Sequence, residues 1–287
     1  MSGTEQPTEE CVVIAGVGLI GGSAALAIRQ VAPQARIIGI GRNAERMQRA
    51  VDTGLLDQWY GRVDASEIPA GSLGLVCLPV DRVAECSRQL LQAGCDVVTD
   101  AGSVKAAICS ALSDLPGFVG AHPIAGSEQS GFEHADGGLF AGRICVICRE
   151  DVEHSAVQRT LRFWRLLRMD CHIIPAVRHD HVLARTSHLP HILASVAAGC
   201  VTDEELMFAG SGFRDTTRIA AGGDALWSSI LLENSSACIS AVDAAMQRLS
   251  EYRSALVGRE EETLRSLWAD AANRRRRLQD PEIHSST

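Results

Sequence analysis

The segment Cys11-Val12-Val13-Ile14-Ala15 is an unbroken apolar run that passes directly into Gly16-Val17-Gly18-Leu19-Ile20-Gly21-Gly22-Ser23. An apolar run of strand length, with a helix-compatible stretch from Ala24 to Val31 behind it, restricts the local fold to strand, tight turn and helix. The glycines have separate duties in such a turn. The first permits the sharp reversal, the second lets a pyrophosphate approach the backbone, and the third lets the helix pack closely on the strand. The helix N-terminus adds unpaired N–H groups and the positive end of a dipole, which suit phosphates. A second strand-like run follows at Arg36–Gly41. This context predicts a dinucleotide site, with Gly16, Gly18, Leu19, Ile20 and Gly21 as candidate contacts. The alternative, a glycine-rich turn without a ligand, needs neither flanking element.

The end of the second strand bears on which dinucleotide. NAD sites place Asp or Glu there, roughly 20 residues beyond the glycines, to bond the ribose 2′-hydroxyl. This chain reads Ile38-Gly39-Ile40-Gly41-Arg42-Asn43, with no acid before Glu45. Glycine occupies the acidic position and a guanidinium follows it. Arginine matches a phosphate in charge and bonds it bidentately, where an aspartate would repel it. Arg42 therefore predicts NADP in preference to NAD. Its other reading is a solvated residue opening a helix.

Composition sets outer bounds. The chain has 287 residues, 46% hydrophobic and 22% charged, with a net charge of −8. That describes an ordinary globular protein of one large or two medium domains, and the acidic balance argues against a nucleic-acid partner. The one basic run, Arg274–Arg277, follows an apolar helical pattern and suits the C-terminal end of a helix dipole. No stretch of about 18 uncharged apolar residues exists, so no membrane span is expected. The opening Met1–Glu10 is polar and acidic, unlike a secretory signal, which predicts a cytoplasmic protein. The ten cysteines are scattered through apolar segments. Cys145 and Cys148 fall three apart in a strand-like run and face opposite sides, so reduced thiols are expected and no metal site.

Strand-like runs at Cys11–Ala15, Arg36–Ile40, Leu73–Leu78, Asp96–Thr99, Phe118–Ala121 and Ile144–Cys148 alternate with helical patterns at Ala44–Thr53, Asp81–Ala93 and Val104–Leu112. Val152–Arg168 reads as a further helix and Cys171–Ile174 as a short strand. Such alternation predicts an α/β fold, a doubly wound and mostly parallel sheet. After Pro175 the pattern becomes helical throughout: His179–Val201, Thr202–Ala209, Ala225–Arg248 and Tyr252–Arg277. The expected division is a dinucleotide-binding domain over residues 1–174 and a helical substrate and dimerisation domain over 175–287. Ile230, Leu231, Ala237, Ile239, Val242, Met246 and Leu249 give that second part more apolar surface than a small domain buries alone, which predicts a homodimer.

Open doubly wound sheets bind ligands at the carboxyl ends of their strands. Leu73–Leu78 ends at Pro79, so Leu78 and Pro79 join the cofactor candidates. Asp96–Thr99 runs into Asp100-Ala101-Gly102-Ser103-Val104-Lys105, and Phe118–Ala121 runs into His122-Pro123-Ile124-Ala125-Gly126-Ser127-Glu128. Ser103 and His122 on neighbouring loops are placed to converge over a nicotinamide, where a histidine accepts a hydroxyl proton as hydride leaves carbon. Taken singly, such a histidine is also an ordinary hydrogen-bonded structural residue. Four histidines fall within 13 residues of the helical part: His179, His181, His188 and His191. His188 and His191 share a helix face, but the earlier pair does not join them on one short surface, so substrate contact or structural capping is expected before metal binding. Arg214 and Arg218, four apart, predict two guanidiniums on one helix face suited to a dicarboxylate. The bland reading is a pair of surface arginines beside Asp215.

Together these segments resemble the prephenate/arogenate dehydrogenase family. The matching stretches are Val13–Ser23, Asp100–Lys105, Gly120–Gly131 (G-A-H-P-I-A-G-S-E-Q-S-G), His179–His191 (H-D-H-V-L-A-R-T-S-H-L-P-H) and Gly212–Ala220 (G-F-R-D-T-T-R-I-A), with Trp227 beyond. The resemblance implies an NADP- or NAD-dependent oxidative decarboxylation of a cyclohexadienol dicarboxylate, prephenate or arogenate, giving 4-hydroxyphenylpyruvate or tyrosine. It implies that His122 draws off the hydroxyl proton, while Ser103 hydrogen-bonds the hydroxyl and orients His122. Arg218 would hold a substrate carboxylate and His191 would line the pocket. Arg214, Glu128 and Asp215 would form a polar network at its mouth, and the helical half would be an intertwined dimer interface.

Two alternatives remain. Other two-domain dehydrogenases of small hydroxyacids or imines use a catalytic lysine in the helical half. Here the only lysine of the chain is Lys105, in the first half. A non-catalytic NADP-binding sensor would need neither the strand-end histidine nor the paired arginines.

Overall fold

The computed structural model describes residues 9–126, 129, 131–149 and 154–278. Its centre is an eight-stranded sheet in the order β3-β2-β1-β4-β5-β6-β7-β8. The strands are β1 (Cys11–Ala15), β2 (Arg36–Ile40), β3 (Gln58–Tyr60), β4 (Ser72–Val76), β5 (Cys95–Asp100), β6 (Phe118–Pro123), β7 (Ile144–Cys148) and β8 (Asp170–Ile173). All neighbours are parallel except β6 and β7, which run antiparallel. The expected α/β class holds, and the reversal of order beside β1 is the switch point at which such sheets bind ligands.

The unbroken apolar runs follow from burial on both faces. Val12 and Ile14 of β1 pack on one side with Ala24, Ala25 and Ile28 of α1 (Leu19–Val31). Val13 and Ala15 pack on the other with Val83 and Leu90 of α3 (Val80–Gln92). Helix α2 (Ala44–Asp52) begins at Asn43, whose side chain accepts a hydrogen bond from the Arg46 amide. Helix α4 (Ala106–Ala111) follows β5, and α5 (Ser155–Leu166) precedes β8. The sequence pattern missed β3, three residues long and half-buried, because so short a segment shows no periodicity.

Beyond β8 come α6 (Ala176–Leu183), a π-helical turn (Ala184–His188), α7 (Leu189–Gly199), α8 (Asp203–Leu206), α9 (Ser211–Thr217), a 3₁₀ turn (Arg218–Ala221) and α10 (Asp224–Glu233). These belong to the same compact unit as the sheet, which ends at Asn234. Ile230 of α10 is buried in the core on the α3 side of the sheet. Where one helix over Ala225–Arg248 is expected, the chain breaks at Asn234. The buried Asn234 side-chain amide donates to the Asp180 carbonyl (2.9 Å), while its backbone amide closes α10 on the Ile230 carbonyl (3.1 Å).

A second unit, from Ser235 onward, consists of α11 (Ser235–Gly258) and α12 (Glu261–Arg277), joined by an Arg248–Asp270 ion pair of 2.6 Å. The break between them lies at Arg259, in the left-handed region (φ 52°), and not before Tyr252 as the pattern suggests. No described helix is long and apolar enough to cross a membrane.

Candidate active site

The carboxyl ends of β1, β2 and β4 open onto a cleft of about 670 Å³. Of the expected cofactor residues, Gly16, Gly18, Arg42, Leu78 and Pro79 line it, and Leu19, Ile20 and Gly21 do not. The glycines divide the work as their chemistry requires. Gly16 has φ +92°, and a Cβ there would lie 2.5 Å from the Cys77 carbonyl oxygen. A Cβ on Gly21 would overlap the Gly16 carbonyl oxygen, so this glycine sets the approach of α1 to the turn. A Cβ on Gly18 would meet nothing within 4 Å, so this glycine leaves open the space a diphosphate needs. The residues present therefore fit a dinucleotide. Arg42 is exposed on the cleft wall beside Arg46 and Arg62.

A second cluster lies beneath the ends of β5 and β6, and it is buried. Asp100, at the end of β5, accepts from the Gly102 amide (2.9 Å), the Ala121 amide (3.0 Å) and Lys105 Nζ. Lys105 and Asp100 are both fully buried, so the ammonium that a hydroxyacid-type mechanism needs is already committed to an ion pair. The backbone of the same segment is tied elsewhere. The amides of Lys105 and Ala106 donate to the two carboxylate oxygens of Asp180, each at 2.8 Å.

Asp180 in turn anchors a chain of imidazoles. Its Oδ1 lies 2.7 Å from His179 Nδ1, and His179 Nε2 lies 2.8 Å from His122 Nδ1. An ionised carboxylate accepts only, so His179 Nδ1 carries the hydrogen that faces it. The remaining lone pair at His179 Nε2 then accepts from His122 Nδ1–H, and the lone pair of His122 is left at Nε2. Burial favours the neutral Asp180 carboxyl, but bonds from His179 and from the Lys105 and Ala106 amides outweigh it and lower its pKa. Burial, reinforced by His179, Lys105 and His188, pushes His122 well below 6.5 and keeps it neutral.

The other histidines separate. His181 is exposed and takes no part. His188 is buried at the end of the π turn, 3.2 Å through Nδ1 from Asn234 Nδ2, and burial lowers its pKa to about 4. His191 donates from Nδ1 to the Ser187 carbonyl (2.9 Å) and stacks on the Trp227 indole at 3.6 Å. Gly222 makes room for that indole, because a Cβ there would lie 2.5 Å from Trp227 Nε1. Among the described residues no group of His, Cys, Asp or Glu is arranged to hold a metal.

Ser103 is half-buried in the loop after β5, two residues before the anchored Lys105. Arg214 and Asp215 are exposed on α9. The expectation of one helix face for both arginines needs correction: α9 stops at Thr217 and Arg218 opens the 3₁₀ turn. The chain tightens there as it approaches Gly222-Gly223, a pair that weakens helix continuation. That turn packs against α7, the helix of His191. Glu128 lies outside the described residues. Sequence reasoning missed the link from His122 to His179 and Asp180. The available signal was an adjacent His-Asp pair at the start of an apolar helix, a pairing that needs buried partners.

A doubly wound sheet with a glycine turn, an open cleft and a neutral strand-end histidine defines an NAD(P)-dependent oxidoreductase. Residues 24–172 match the family model of the prephenate dehydrogenase nucleotide-binding domain, and residues 175–269 that of its dimerization domain. Prephenate dehydrogenase of Bacillus subtilis is 30% identical over 261 residues, 85% of this chain and 70% of that one. Cyclohexadienyl dehydrogenase of Zymomonas mobilis is 30% identical over 263 residues, 87% of this chain and 89% of its own. The structure of prephenate dehydrogenase from Aquifex aeolicus with hydroxyphenyl propionate and NAD+ superposes with a TM-score of 0.86 at 28% identity, covering 95% of this chain and 99% of that one. Synechocystis arogenate dehydrogenase gives 0.79 at 25% identity, covering 93% and 99%. The chain belongs to the prephenate dehydrogenase family.

Proposed function

We propose that this protein is a cytoplasmic homodimer that oxidises and decarboxylates prephenate, arogenate or both, with NADP preferred over NAD. Residues 1–174 would carry the cofactor, and residues 175–287 the dimer contacts and part of the substrate pocket. The observation that carries this reading is the His122–His179–Asp180 chain at the carboxyl edge of the sheet. It leaves a neutral imidazole nitrogen where a hydroxyl proton must go. The exposed Ile239, Met246, Leu249 and Leu256 of α11, with Trp268 of α12, support the dimer.

The nicotinamide, when bound, supplies the hydride acceptor. His122 takes the hydroxyl proton at Nε2 as the ring carbon is oxidised, and the positive charge it gains is delocalised through His179 towards the Asp180 carboxylate. Loss of carbon dioxide from the opposite ring carbon sends its bonding electrons through the ring onto the carbonyl oxygen, which takes back the proton from His122 Nε2 to become a phenol; the ring is then aromatic, so the reaction does not reverse. Ser103 orients the hydroxyl. Arg218 holds a substrate carboxylate, Trp227 and His191 wall the pocket, and Arg214, Glu128 and Asp215 form its mouth. Gly16, Gly18, Leu78 and Pro79 hold the cofactor, Leu19, Ile20 and Gly21 form the start of α1 behind the turn, and Arg42 faces its 2′-phosphate. The test is steady-state formation of reduced nicotinamide with prephenate and arogenate, each with NADP and NAD. Turnover with either substrate and higher kcat/KM with NADP is expected, and no turnover in any pairing would overturn the assignment.

A further inference from the structure

We infer that Arg62, just beyond the end of β3, is a second residue that recognises the cofactor's 2′-phosphate, beside Arg42 on the same edge of the cleft. This rests on the NADP reading of the cleft. Strands β2 and β3 are parallel, with Ile40 opposite Tyr60. The Gly41 amide donates to the Tyr60 carbonyl (3.0 Å), so the two chains leave the sheet side by side. Each passes through one glycine, Gly41 or Gly61, and each then presents an arginine, Arg42 or Arg62. Both arginines line the cleft that Gly16 and Gly18 open.

Their environment sets them apart from the other two arginines that line the cleft: Arg46 lies 3.7 Å from Glu133, which Arg49 shares, and Arg82 lies 3.3 Å from Asp81. Among the described residues Arg42 and Arg62 have no ion-pair partner within 4.0 Å. The acid near Arg62 is Asp64, whose carboxylate is held mainly by the Ser66 hydroxyl and amide and only last by Arg62. On the far wall Asp81 is matched by Arg82 (3.3 Å), so the uncompensated positive charge gathers at the β2 and β3 ends. An acid in place of Gly41 is sterically opposed as well, since its Cβ would lie 2.5 Å from the sulfur of buried Met47. A phosphate monoester offers three acceptor oxygens and close to two charges, enough for two guanidiniums at once.

Calorimetric titration of the full chain with NADP, NAD, 2′,5′-ADP and 5′-AMP tests this without reference to turnover. Arg62→Ala is expected to weaken NADP and 2′,5′-ADP by about ten- to a hundredfold, the range of one charge-assisted bond, with NAD and 5′-AMP unchanged. Arg62→Lys should recover part of the loss, and the Arg42→Ala/Arg62→Ala pair should bind NADP no better than NAD. If the parent protein prefers NADP and Arg62→Ala leaves that preference intact, Arg62 is not in the phosphate site and the inference fails alone. If Arg62→Ala weakens NAD equally, its role is structural and the inference also fails. If the parent protein binds NADP and NAD alike, the NADP reading and the inference fall together.

Discussion

The two halves of the site are built by opposite means. The cofactor cleft is a matter of backbone shape and exposed charge: Gly16 and Gly18 open it, and Arg42, Arg46 and Arg62 rim it. The proposed catalytic half is a matter of buried polar groups that hold one another, with Asp100, Lys105, His122, His179 and Asp180 all inside the fold. In the first half, function and folding are separable residue by residue. In the second, the groups that would move a proton also join α6 to the β5 and β6 ends, so each has a structural share. Polar networks in a low-dielectric interior are strong only when complete.

That contrast is open to direct attack. The largest effect is expected from His122→Asn, which removes the proposed base and keeps a hydrogen-bonding group. Turnover should fall by at least ~10²-fold with NADP affinity near normal, and retained turnover would take His122 out of the chemistry. Next is a pair of glycine variants measured for both folding and binding. Gly21→Ala forces α1 away from the Gly16 carbonyl and should cost stability, on the order of the 1–3 kcal/mol of an overpacked core. Gly18→Ala meets no protein atom, so its unfolding midpoint should stay put while dinucleotide affinity drops. Equal stability losses in the two would erase the distinction drawn between them.

The smallest effect is one of pH. His122, and His188 with a pKa of about 4, refuse protons that the unfolded chain accepts near 6.5. Their folded pKa values are depressed, so the stability of the native state is full above about pH 6.5 and declines as the pH falls below it. The urea midpoint should therefore drop between about pH 7 and pH 5, and the acid limb of kcat/KM should lie below pH 6.5. An acid limb above that value would mean that His122 is not held neutral by its surroundings.

What could be seen in the sequence follows the same division. The glycine turn, the strand ends and His122 are each local features, written within a few residues, so each can be placed without reference to distant segments. The link from His122 to Asp180 spans 57 residues to His179 and one more, and no periodicity reports it. The break at Asn234 was hidden because the apolar pattern runs through it, and the side-chain bond that Asn234 makes there is to the Asp180 carbonyl, 54 residues away. The antiparallel turn of β7 against β6 was equally silent, since a strand buried on both faces reads the same in either direction.

Lys105 has a use outside the reaction. It is the chain's only lysine, and its side chain is 0% exposed against Asp100. Reagents that acylate side-chain amines therefore find no lysine on the native surface, and modification must wait until the β5–α4 segment opens. Followed by mass spectrometry, that single label is a clock for local opening at the junction of α4 and α6. When opening and closing outpace labelling, the rate reports the free energy of that junction, separately from the cleft beside it.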